Sequence, residues 1–134
     1  MFLHIKDVLT PEEITFFRQA LGPQAPWIEG ARSAGGQAIH QKNNLQLAQG
    51  SELSAQLQTM VKAALHRNAL FFSAALPRRI YNPLFNNYGD GANFYGNHVD
   101  SAVMHSKADN CCDRSDLSCP LLLTPPEGYD GGEL

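Results

Sequence analysis

Two stretches of the chain carry apolar residues at helical spacing. Ile14, Phe17 and Leu21 recur at intervals of three and four, with Phe16 beside them, and predict an amphipathic helix over "LTPEEITFFRQALG". Thr10 can cap it, Pro11 suits the first helical position, Glu13 completes a capping box, and Gly22 can end it. Leu53, Leu57, Met60, Val61, Ala64 and Leu65 form the stripe of a second helix within "SELSAQLQTMVKAALHRN". Ser51 is its expected cap and Asn68 its expected stop. Between them, Pro23 and Pro26 break the chain into a loop that reaches Trp27. "GARSAGGQ" reads as a turn region flanked by short strands, and "KNNLQLAQG" as a strand with Leu45 and Leu47 on one face. Further on the pattern changes. "RRIYNPLFNNY", "ANFYGNHVDSAV" and "LSCPLLLT" are short, aromatic or apolar, and separated by turns, as strands are. Helices followed by antiparallel strands predict an α+β fold, with the helices packed on one face of a β-structure.

Composition narrows the function classes. The 134 residues suit one domain. Ten Lys and Arg against thirteen Asp and Glu leave a net charge of −3, which is not the basic footprint of a nucleic-acid binder. The opening "MFLHIKDVLT" does not read as a signal peptide, since His4, Lys6 and Asp7 interrupt its apolar residues. The most apolar run, "ALFFSAAL", is too short to span a bilayer. A cytoplasmic protein with neither nucleic-acid nor membrane partners is therefore expected. The three cysteines, Cys111, Cys112 and Cys119, are odd in number and form no CxxC pair. That argues against a disulfide framework and leaves three reduced thiols in a loop and a strand start.

The candidate chemistry sits in "NFYGNHVDSAV", after the Gly-rich turn "YGDGAN". Side chains two apart on a strand share a face, so His98 and Asp100 would project together while Val99 faces away. One imidazole nitrogen and one carboxylate make two adjacent metal ligands. With a third from elsewhere they would form the facial triad of non-haem Fe(II) oxygenases. Two other readings of the pair stand beside this one: a surface hydrogen bond, and a structural zinc site shared with His105 and the cysteines.

The run "LPRRIYNPLFNNYGDGANFYGNHVDSAV" resembles the Fe(II)/2-oxoglutarate-dependent dioxygenases of the prolyl-4-hydroxylase type, and among them the bacterial PKHD-type hydroxylases. "LHIKDVLTPEE", "KNNLQL", "NALFFSAALP", "RSDLS" and "YDGGEL" agree in order, so the resemblance extends over essentially the whole chain. It implies that residues 1–134 are the N-terminal portion of a dioxygenase domain. Residues 1–76 would be a helical support region, and residues 77–134 the first strands of a double-stranded β-helix, or jelly roll. It implies Fe(II) bound by His98 and Asp100, 2-oxoglutarate as cosubstrate and L-ascorbate as the reductant that keeps the iron active. Tyr88, ten residues before His98, matches a tyrosine that lines the cosubstrate pocket, and Tyr95 lies three before it. Core packing with a satisfied hydroxyl is the alternative for both.

Two family residues find no match: a distal histidine that completes the triad, and an Arg or Lys that pairs with the far carboxylate of 2-oxoglutarate. His105 is too close to the motif for the first role, and His4, His40 and His66 precede it; His66, near a helix end, reads as structural. Pro120 removes a ladder hydrogen bond from "LSCPLLLT" and predicts an edge or a bulge there. The expectation is thus a hydroxylase incomplete in this chain, binding iron weakly. Its rivals are a non-catalytic truncated jelly-roll module that binds a partner or forms a homo-oligomer through an open edge, and a structural metal-binding protein that holds zinc. A small molecule or a peptide is the expected substrate class.

Overall fold

Thr10 and Glu13 start the first helix as the capping box requires. In the computed structural model, which describes residues 2–30, 42–89, 91, 93–106 and 110–129, the Thr10 hydroxyl accepts from the Glu13 N–H at 3.2 Å. The Glu13 carboxylate accepts from the Thr10 N–H at 2.8 Å. With Pro11 opening it, α1 runs over Pro11–Ala20 and buries Phe17 completely. Leu21 caps its end, and the Gly22 N–H closes onto the Gln19 carbonyl.

The second predicted helix is also present. Ser51 accepts from the Ser54 N–H at 3.1 Å, and α2 runs over Glu52–Arg67. Leu57, Val61, Ala64 and Leu65 are buried along it, as the stripe requires. Asn68 then serves two helices. Its N–H donates to the Leu65 carbonyl, and its side chain accepts from the Phe71 N–H at 2.8 Å. That second bond starts α3, Ala69–Ala75, a helix made from the apolar run "ALFFSAAL". α3 stops at Leu76, which is left-handed (φ 43°) ahead of Pro77. The His66 ring, as expected of a structural residue, lies against Phe72 with centroids 6.1 Å apart.

The chain divides into two compact units, Met1–His98 and Val99–Leu134. In the first, a three-stranded antiparallel sheet has the order β1 (Trp27–Glu29), β3 (Leu45–Leu47), β4 (Asn86–Asn87). Trp27 pairs with Leu47, and Gln46 with Asn86. A second pair joins β2 (Lys42–Asn43) to β5 (Phe94–Tyr95), placing Lys42 opposite Tyr95. The single strand read in "KNNLQLAQG" is therefore two, divided at Asn44 and paired to different partners. The core lies between α1, α2 and the sheet. Phe17 meets Phe85 with ring centroids 6.1 Å apart, and Gln58 donates to the Pro83 carbonyl. The Arg67 guanidinium ties the end of α2 to Glu13 at the start of α1.

Among its described residues the second unit holds one antiparallel pair, β6 (Val103–Ser106) with β7 (Cys111–Arg114). Three expectations are corrected here. Cys111 and Cys112 lie in a strand, not a loop, because β6 supplies their pairing. "LSCPLLLT" forms no strand; Pro120 cannot donate to a ladder, and its neighbours pair with no described strand. "NFYGNHVDSAV" is not one continuous strand: pairing stops at Tyr95 and resumes at Val103. Most of "GARSAGGQ" lies outside the described residues. The architecture is α+β, with three α-helices and small antiparallel sheets among the described residues. Among the described residues no helix is long and apolar enough to cross a membrane.

Candidate metal-binding site

Tyr95 and His98 meet face to face just past the end of β5. Their ring centroids are 3.7 Å apart and the planes 17° from parallel. The His98 Nδ1 lies 2.8 Å from the Gly96 carbonyl oxygen. A carbonyl only accepts, so in the neutral ring the proton is on Nδ1 and Nε2 keeps its lone pair. This is how metal-bound histidines are held: one nitrogen donates to a backbone or carboxylate oxygen and the other faces the ion. His98 therefore has both the tautomer and the ring restraint that a ligand needs.

Asp100 lies two residues on, exposed, in the second unit. The strand argument that put both side chains on one face does not apply, since neither residue belongs to a ladder. Val99 between them is 96 % exposed and opposes nothing across a sheet.

Tyr88 belongs to the neighbourhood of Tyr95 and β3. Desolvation raises its pKa, the nearby Tyr95 raises it further, and a hydrogen bond with the Asn44 side chain opposes both. The phenol thus stays protonated and able to donate, and Tyr88 is 46 % exposed. Asn44 is 3 % exposed and donates to the Asn86 side chain at 3.0 Å, an oxygen that also accepts from Gln46. The Asn44 side-chain oxygen is buried without a hydrogen-bond partner. A Cβ on Gly30 would fall 1.8 Å from that oxygen, so glycine is needed there for the close approach. The Lys42 ammonium sits 5.0 Å from the Tyr95 ring centroid, and desolvation lowers its pKa.

The thiols gather elsewhere. Cys112 Sγ lies 3.1 Å from His105 Nδ1 across the hairpin. Among the described residues no group of three or more His, Cys, Asp or Glu side chains is placed to hold a metal ion. The shared zinc set of His98, Asp100, His105 and the cysteines is not assembled there.

No family model matches the chain. Curated proteins do match, over its whole length. A PKHD-type hydroxylase of Variovorax paradoxus is 50 % identical over 134 residues, and one of Aliarcobacter butzleri 47 %. The PKHD-type hydroxylase YbiX of Escherichia coli is 48 % identical. The chain is a relative of the PKHD-type hydroxylases. It spans 58 % of the length of each of these three proteins.

In this PKHD-type relative the structure brings His98, Tyr95, Tyr88, Asn44 and Lys42 into one region of the first unit. Sequence reasoning reached His98 and the two tyrosines. It missed Lys42 and Asn44 as neighbours of the site, although both stand in "KNNLQL", one of the stretches that carry the likeness. The available signal was the repeated Asn pair, "NN" at 43–44 and again at 86–87. Tyr95, expected to bind cosubstrate, has its ring on the candidate ligand His98.

Proposed function

We propose that the protein is an Fe(II)- and 2-oxoglutarate-dependent hydroxylase of the prolyl-4-hydroxylase type, with His98 and Asp100 as its iron ligands. The observation that carries this reading is the placement of His98: Nδ1 lies 2.8 Å from the Gly96 carbonyl oxygen and the ring is stacked on Tyr95, the kind of restraint under which metal-bound histidines are held. The names of its relatives support the reaction class. Bound iron supplies the activation of dioxygen that couples oxidative decarboxylation of 2-oxoglutarate to hydroxylation of a substrate.

The chain's own residues have separate tasks. His98 donates one neutral nitrogen. Asp100 donates one anionic oxygen, and the pair offers the mixed imidazole and carboxylate set that suits Fe(II). Tyr95 holds the imidazole in orientation. Tyr88, kept protonated by desolvation, offers a hydrogen bond to a carboxylate of the cosubstrate. The strands from residue 77 onward are read as part of a jelly roll. L-ascorbate serves as the reductant, the substrate is a small molecule or a peptide, and the cytoplasm is the working compartment.

Anaerobic titration with Fe(II) and then 2-oxoglutarate tests this directly. The expected result is a visible charge-transfer band that appears only with both present and is absent in His98→Ala and Asp100→Ala. Tyr95→Ala should weaken Fe(II) binding about tenfold, as loss of a group that orients a ligand does, while Tyr95→Phe should not. An unchanged band in His98→Ala overturns the assignment. So does a site that takes zinc but gives no response to 2-oxoglutarate.

A further inference from the structure

The β6–β7 hairpin sets an imidazole against a thiol. His105 and Cys112 are cross-strand partners, so their side chains leave the same face. Both are exposed, and Sγ lies 3.1 Å from Nδ1. With its ring proton on Nε2, His105 accepts the Cys112 S–H at Nδ1. The other two thiols lack this arrangement. Cys111 leaves the opposite face of β7, and its Sγ reaches the Cys112 carbonyl oxygen at 3.8 Å, a group that takes no proton. Cys119 lies outside the hairpin, where desolvation raises its pKa. Three thiols close in sequence thus have three environments, and one of them includes a base in contact with sulfur.

We infer that Cys112 is a thiol–disulfide exchange site, with His105 as its general base and small disulfides as its co-reactants. The Cys112 sulfur attacks one sulfur of the incoming disulfide, and its proton passes to His105 Nδ1. A new S–S bond joins Cys112 to half of the reagent. The reagent's own S–S bond breaks, and the other half leaves as a thiolate. One disulfide forms for each one broken, so no separate oxidant is consumed. Because Cys111 and Cys112 point to opposite faces of β7, the product is a mixed disulfide rather than a bond between the two neighbours.

The test uses the reduced 134-residue chain and glutathione disulfide in native buffer, with each modified cysteine located by peptide mapping over time. Cys112 should react ahead of Cys111 and Cys119 on the order of tenfold, below the usual yield of a positioned base because both groups are solvated. His105→Gln should bring Cys112 down to the rate of Cys111. Free imidazole added to His105→Ala should restore the lead, a rescue that a merely structural histidine would not show. Equal rates at Cys111 and Cys112 overturn the inference. So does a lead that survives His105→Gln, a lead that persists after unfolding in guanidinium, or a failure of imidazole to rescue.

Discussion

Glu13 closes the capping box with Thr10 and takes the Arg67 guanidinium from the far end of α2. The Arg67 hydrogen bond, then the Thr10 N–H, hold its carboxyl at about 2, against an ordinary value of 4.5. A carboxyl whose folded pKa is depressed stabilises the fold above its unfolded pKa and loses that contribution as pH falls through the folded value. Stability from this contact should therefore be complete at pH 7 and decline between about 4.5 and about 2. Thermal melts of the wild type and Glu13→Gln, at neutral pH and in that acid range, check it. The two should differ at neutral pH and converge in acid; parallel curves would exclude Glu13 as the source. The effect should be modest, because a solvent-exposed ion pair is screened and contributes little. Asn44 carries the other lesson at this scale. Alternation along "KNNLQL" buries the leucines and turns Asn44 and Gln46 outward, yet both polar residues are buried. Asn86 makes that possible by accepting from each of them, from a stretch some forty residues away that no local pattern connects to them.

Among the elements, the helices were legible because their signals are local. Cap, stripe and stop all lie within a few turns of one another, and α1 and α2 fall where those signals put them. Within α2 the stabilising weight lies in packing. Leu57 is fully buried, so Leu57→Ala should cost about 2–5 kcal/mol. Thr10→Ala, which removes only a cap from α1, should cost about 1 kcal/mol. Denaturant unfolding of the two variants should reproduce that order, and the reverse order would mean that α2 is not seated in the core. The strands were less legible. They are two to four residues long, and each exists only where a partner lies alongside. "CCDR" has little strand character in isolation and pairs because "VMHS" does. "LSCPLLLT" has the composition of a strand but contains Pro120 and forms none.

At the scale of the whole molecule the two units differ in how much they bury. The apolar core, from Val8 to Phe85, lies in the first. Among the described residues of the second none is buried, so its hairpin rests mainly on backbone pairing. Regions with few buried apolar contacts open at low free energy. Amides of β6 and β7 should then exchange with deuterium well before those of α2 under native conditions. Hydrogen exchange read by mass spectrometry checks this, and equal protection in the two regions would show that the second unit is held by contacts beyond its own hairpin.

The sequence by itself determined the two longer helices, their caps, the α+β class and the residues on which the family likeness rests. It also singled out His98, because an imidazole and a carboxylate two apart are a chemical statement that needs no fold to read. Only the tertiary structure decided which nitrogen of His98 meets the Gly96 carbonyl, where the Tyr95 ring lies, why Asn44 is buried and which thiol meets a base. Each depends on an atom supplied from outside the local pattern or on a ring placed in space: the Gly96 carbonyl, the Tyr95 face, the Asn86 side chain, the His105 imidazole. Helical periodicity encodes which residues share a face of one element. It does not encode which face another element brings against it, and hydrogen bonds and ring contacts are made at that second step.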